Sequence, residues 1–202
     1  MLRKSFLRLK GIQQPPEHLY ELRMHNIKPG SYHELNALAM EHMSKRPATG
    51  GKCMGYWTAQ MGAINQWLHL WQFDSLEHRY ECRKELESDQ QWQRVFYRPM
   101  QKHLTHQQNL LLTRVYREGT ASTLSYKYLM QVSPHKEIEL SGPSAILAAT
   151  FNIAIGDGEG KYLHIVKARK LDDLIPINPP PDCVSKIMGP CRWSTSLGCV
   201  WR

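Results

Sequence analysis

Within 202 residues, no apolar run approaches the roughly 18 residues a helix needs to cross a bilayer, which excludes a helical membrane span. The sequence also lacks any C-x-x-C pair. Its five cysteines (Cys53, Cys82, Cys183, Cys191 and Cys199) are odd in number and fit no zinc spacing, so reduced thiols are expected rather than a metal site or a disulfide framework. Basic blocks interleaved with aromatics are missing too. Half of the net charge of +8 comes from Arg3, Lys4, Arg8 and Lys10, which leaves the rest too weakly basic for a nucleic-acid footprint. No serine or cysteine stands in a nucleophile signature, and no histidine pair shares a helix face with a carboxylate. Neither a catalytic centre nor a cofactor is expected.

The first segment is basic, acid-free and amphipathic, with Leu2, Phe6 and Leu9 at helical spacing. Residues 1–18 therefore read as a leader suited to mitochondrial targeting or to peripheral contact with a membrane surface, a cytoplasmic location being the alternative. Pro15-Pro16 ends it.

From there the apolar period changes repeatedly. Leu19 to His25 alternates as a strand, and Asn26 to Gly30 is a turn. Ser31 with Glu34 has capping-box spacing, and the helix that follows aligns Tyr32, Leu35, Leu38, Ala39 and Met43 on one stripe. Strands are expected at about 53–60, 64–73 and 109–116. Between the last two lies a helix opening at Asp74 to Glu77, with Leu76, Tyr80 and Leu86 inward and Arg83 paired with Glu87 on its solvent side. A further helical piece, Gln90 to Phe96, precedes Pro99. The order βαββαβ is that of a ferredoxin-like α+β module. In the third strand Trp67, His69, Trp71 and Phe73 alternate with Leu68 and Leu70, so both faces are apolar and both need cover. The module's own helices can cover one of them. The other calls for a second sheet, from another copy of the chain or from within it.

Several segments then resemble the NIPSNAP family: Tyr20-Glu21-Leu22-Arg23, Asn26-Ile27-Lys28-Pro29-Gly30, Gly55-Tyr56-Trp57-Thr58 with Gly62, His69-Leu70-Trp71, Asp74-Ser75-Leu76-Glu77-His78-Arg79, and Gln108-Asn109-Leu110-Leu111-Leu112. They are collinear over residues 19–116. The resemblance implies a dimeric α+β barrel, in which two ferredoxin-like sheets face each other. It also implies a non-enzymatic mitochondrial protein acting in protein binding and assembly, with autophagy adaptors and vesicular transport as the setting. Family members often carry two copies. Ala145 to Gly156 lines up with Leu19 to Gly30, and Gly189, Arg192-Trp193-Ser194-Thr195 and Gly198 resemble the Gly55 to Gly62 stretch. On that alignment residues 117–144 are a linker and 145–202 an incomplete second copy that stops before its third strand.

The candidate interface or cavity residues are Trp57, Trp67, His69 and Trp71. Packing at a buried interface is the plainer role for the indoles, and a hydrogen-bonded core histidine the plainer one for His69. The rival function is an enzyme or carrier of the barrel kind, a cofactor-independent oxygenase or a haem protein, with a cavity lined by His69, Trp67 and Trp71. His78 and Arg79 are expected at the surface. His103 and His106 are weak metal candidates, and Gly156 to Gly160 is a glycine-rich turn.

Overall fold

A computed structural model describes residues 17–49, 51–117, 126–140, 142–175, 179, 181–191 and 193. Residues 1–16 of the leader and most of the Arg192 to Gly198 stretch lie outside the described residues. Eight antiparallel strands close into a barrel: β1 (Leu19–Ile27), β2 (Lys52–Met61), β3 (Gln66–Phe73), β4 (Leu104–Arg117), β5 (Lys127–Ser133), β6 (Ile146–Ile155), β7 (Tyr162–Ala168) and β8 (Val184–Pro190). Around the barrel the order is β1-β3-β2-β8-β5-β7-β6-β4. The first four strands thus form a β4-β1-β3-β2 sheet, the ferredoxin-like order. The last four repeat that order as β8-β5-β7-β6, and β2–β8 and β4–β6 are the seams.

The fold is α+β, but the second half is arranged differently from the alignment made on sequence. β5 occupies the place of β1, yet it lies inside the segment read as linker. β6, which was aligned with β1, instead takes the place of β2. All four strands are present in this half. What it lacks, among the described residues, is a pair of α-helices: β5 joins β6 through a loop, and only a 3-10 turn at Asp172–Leu174 lies between β7 and β8.

The helices cover the outer face of the first sheet. Helix α1 (Tyr32–His42) buries Leu35 and Ala39 as its stripe predicts, and Met43, the first residue of the following 3-10 turn, is buried with them. Its Ser31 makes no side-chain cap, so the expected capping box is absent. Helix α2 (Leu76–Ser88) is capped by Ser75, whose hydroxyl accepts from the His78 amide at 3.0 Å. It turns Cys82 and Leu86 inward and leaves Leu76 and Tyr80 exposed, against expectation. A helical run follows as α3 (Gln90–Trp92), a π-helical turn (Gln93–Tyr97) and α4 (Arg98–Gln101), passing through Pro99 rather than ending before it. Pro99 stands in the first turn of α4, directly after the π-helical turn.

Two cores result. Leu22, Leu68, Leu70, Trp57, Phe151 and Ile165 belong to the set that fills the barrel, while Trp67, Trp71, Phe73, Leu35, Trp92 and Phe96 pack between sheet and helices. The two apolar faces of β3 therefore serve different cores, and both lie within one chain. Gly55, at a β-bulge, is needed there because a Cβ would collide with the Trp57 indole. Cys82, Cys183 and Cys191 are free thiols, but Cys53 is disulfide-bonded, so the expectation of reduced thiols fails at that residue. Linear spacing carries no information about which strands bring two sulfurs within bonding distance.

Candidate functional site

Strand β1 alternates strictly. Tyr20, Leu22 and Met24 point into the barrel, which sends Glu21, Arg23 and His25 to the helix-covered face. Arg23 stands opposite His69 on β3 and Asn109 on β4, and His69 stands opposite Tyr56 on β2. A polar row thus crosses four strands beneath the helix layer. Over it lies a cavity of about 490 Å³, walled by Met43, Arg46, Trp71, Leu86 and Met100 and by Gln93, Phe96 and Tyr97 of the π-helical turn. Tyr80, Lys84 and Glu87 of α2 form its solvent edge. A π-helical turn inserted between α-helical pieces widens the helix locally, a deviation that recurs at functional sites.

The floor is held by Glu21, which is 1% exposed. Arg79 and Arg83 each donate to one of its oxygens at 2.6 Å, and Asn109 donates at 2.8 Å. Burial alone would push this carboxyl up, but Arg83, Arg79, Arg23 and Asn109 outweigh it and bring the pKa down to about 2. Glu21 neutralises only part of the local charge. Arg23 reaches it at 4.0 Å, and Arg46 has no carboxylate partner among the described residues, lying instead over the Trp71 ring at 4.1 Å. Burial, then Arg83, lowers Arg46 to about 10, so it stays cationic at neutral pH.

His69 is fully ordered by its neighbours. Its ring stacks on Tyr56 at 4.5 Å and 7°, and His25 meets it edge-on at 4.8 Å. The Trp71 indole donates to His69 Nδ1 at 2.5 Å. An indole N–H can only donate, so Nδ1 is the acceptor and the ring proton sits on Nε2. That Nε2–H is buried and has no partner among the described residues. Burial, His25 and the arginines hold His69 well below its usual range, and burial with Arg23 and Arg83 brings His25 down to about 3. Both rings are neutral. Burial also pushes the Tyr56 phenol far up.

This arrangement does not fit a haem ligated by His69. Iron would require a bare Nε2 and hence a proton on Nδ1, which would then face the Trp71 N–H as a second donor.

Of the residues singled out from sequence, His69 and Trp71 line the cavity. Trp67 packs beside it against Tyr56 at 5.7 Å and Trp193 at 4.8 Å, and Trp57 lies on the opposite face, inside the barrel against Tyr128 at 5.6 Å. Arg79 is not a surface residue but a ligand of Glu21, and Arg83 reaches Glu21 rather than serving a solvent-side pair with Glu87. Asp74 donates its amide to His78 Nδ1 at 3.2 Å, and His103 lies 3.5 Å from Glu34. The residues that sequence reasoning missed are Glu21, Arg23, His25 and Arg46. A signal was there: polar Glu21, Arg23 and His25 share one face of β1, and Arg79 and Arg83 share one face of the helix.

The NIPSNAP family profile matches residues 20–116. Human Protein NipSnap homolog 3A is 33% identical over 81 residues, covering 40% of this chain and 32% of the relative. Mouse Protein NipSnap homolog 3B is 32% identical over 90 residues, covering 44% and 36%. The match thus spans about a third of the length of these curated relatives. A proposed monooxygenase from Fusobacterium nucleatum shares the fold over 89% of this chain and 94% of its own, at a TM-score of 0.59 and 6% identity. Every residue around the helix-covered cavity falls between Arg23 and Asn109, inside the matched segment, and residues 20–116 of this chain are a NIPSNAP domain.

Proposed function

We propose that this NIPSNAP domain binds a small organic acid in the cavity between sheet and helices. The observation that carries the reading is the excess of cationic charge: Arg23 and Arg46, both half-buried, line a pocket whose floor carboxylate is already held by Arg79 and Arg83. An uncompensated charge in such surroundings is costly, and a bound anion removes that cost. The His69 Nε2–H supplies a neutral donor, while Trp71, Phe96, Leu86 and Met100 suit an apolar body. At about 490 Å³ the space lies within the usual range for small-molecule sites. Binding suits the site better than acid–base catalysis. Glu21, His25, His69 and Tyr56 are all tuned away from proton transfer near neutral pH, where a general base needs to be poised.

Calorimetry with aromatic carboxylates and their matched amides tests this. The acids are expected to bind, the amides not, and Arg46→Met to weaken the acids at least tenfold. Equal binding of acid and amide, or an Arg46→Met protein that binds like the wild type, would sink the reading.

A second reading, protein binding and assembly in mitochondria with autophagy adaptors or vesicle-traffic proteins as partners, rests on the family resemblance. One surface feature favours it: Leu76 and Tyr80, one helical turn apart on α2, are 53% and 61% exposed. Replacing both with serine is expected to abolish any specific co-purifying partner without lowering the melting temperature. An unchanged set of partners would remove this support.

A further inference from the structure

The barrel has a second hollow on the other side of the same sheet. At the end where β1 finishes and β8 begins, a space of about 300 Å³ opens among Leu22, Met24, Leu110, Met130, Val132 and Leu163. An eight-stranded barrel is just wide enough either to be filled by side chains or to hold one small ligand. Here the filling stops short of the end, and the rim is polar: Gln108, Asp157, Lys161, Asp182 and Lys186. Gln108 donates to Asp157, which orients that carboxylate, and the rim holds two aspartates and two lysines.

Lys186 differs from an ordinary surface lysine. It has the same strand parity as Met188, which is fully buried in the barrel core, so its side chain enters the barrel. Its Nζ donates to Gln66 Oε1 at 2.7 Å and reaches Met24 Sδ at 3.8 Å. The Gln66 amide is oriented in turn by its donation to Asn26 Oδ1 at 2.6 Å, which keeps the Gln66 oxygen towards the lysine. An ammonium has three donors, and of these two contacts only the first is a strong one. Burial holds the amine below its usual range. The result is a cation on a fixed relay at the mouth of an apolar tube.

We propose that this open end of the barrel binds a medium-chain monocarboxylate, its carboxylate on Lys186 and its alkyl chain among Leu22, Met24, Leu110 and Met130. The tail contributes apolar burial, and the head gives the Lys186 ammonium a charged acceptor beside the neutral Gln66 oxygen. The site is independent of the helix-covered cavity, because alternation on β1 sends Leu22 and Met24 to one face and Arg23 and His25 to the other.

Methionine methyl groups report on the two sites separately, since Met24 and Met130 line the barrel hollow and Met43 and Met100 the other cavity. Octanoate titrated into the full chain carrying 13C-methyl methionine is expected to shift Met24 and Met130 and leave Met43 and Met100 in place. Octanamide should bind at least tenfold more weakly. Lys186→Gln should lose the same factor for octanoate, and Lys186→Arg should retain most of the affinity. The proposal is overturned if octanoate moves none of the four methyls or only Met43 and Met100. It also fails if octanamide binds the wild type as well as octanoate does, a comparison that needs no variant to fold.

Discussion

Glu21 shows how one buried carboxylate can organise a site and make it acid-sensitive. Its pKa lies at about 2 in the folded chain, below the ordinary 4.5. A depressed carboxyl stabilises the fold above its unfolded pKa, and that contribution disappears as pH falls through the folded value. Glu21→Gln should therefore cost about 3 kcal/mol at pH 7, by the linkage of pKa to stability and within the range for breaking a buried ion pair. Urea melts should show the gap between variant and wild type shrinking between pH 4.5 and 2; a constant gap would mean that Glu21 is not held by its arginines. His25 acts in the same direction over a different window. Held at about 3 when folded, against 6.5 otherwise, it stays neutral while the unfolded chain takes up a proton. Stability should fall with acid by about 1.4 kcal/mol per pH unit between pH 6 and 4 on this account alone. His25→Gln should remove that part of the slope, and an unaltered slope would place the proton uptake elsewhere.

Among the elements, β3 was the most legible, and β5 and β6 the least. The alternation of Trp67, His69, Trp71 and Phe73 with Leu68 and Leu70 announces two buried faces, and both are buried. Which face meets helices depends on the whole topology, however. On sequence alone, interface packing is the plainer role for Trp71. Its position beneath Arg46 and against His69 makes a different outcome the expected one. Trp71→Glu should destabilise the helix layer by more than about 3 kcal/mol, in line with large buried aromatic losses, and leave the oligomeric state unchanged. A change in mass by light scattering with the melting temperature intact would reverse that assignment. Helix α2 differs from expectation because Arg79 and Arg83 share its inward face with Cys82 and Leu86. A rule that sends apolar residues in and charges out picks Leu76 and Tyr80, whereas the polar face of β1 selects Arg79 and Arg83. In the second half, the resemblance of Asn152 and Gly156 to Asn26 and Gly30 set the alignment one strand off. With no α-helix among the described residues between β5 and β6 or between β7 and β8, the change of period that identifies a βαβ unit is missing there.

Across the whole molecule, a single chain supplies both sheets of the barrel, and each half has a face it cannot leave bare. Leu22, Leu68, Leu70 and Leu112 of the first half, with the large Trp57 indole, are essentially without solvent contact, and much of their cover comes from β5 to β8. The dependence runs mainly one way in structural terms. The first sheet has a helix layer and a second core of its own, while the outer face of the second sheet carries a small cluster around Leu129, Val166 and Leu174. A fragment covering residues 17–117 should therefore keep its helices and the arginine-lined cavity, yet expose the barrel face of β1, β3 and β4 together with two unpaired seams. Exposed apolar strands with open edges find partners. The fragment is expected to retain helical circular dichroism and to form larger species, relative to its own mass, than the full chain does in light scattering. Adding a separate 126–202 peptide should return it to a smaller, more stable complex. A fragment that stays monomeric, melts cooperatively and ignores the peptide would show that the barrel face does not need cover, and with it that closure of the eight strands contributes little to holding the first sheet in place.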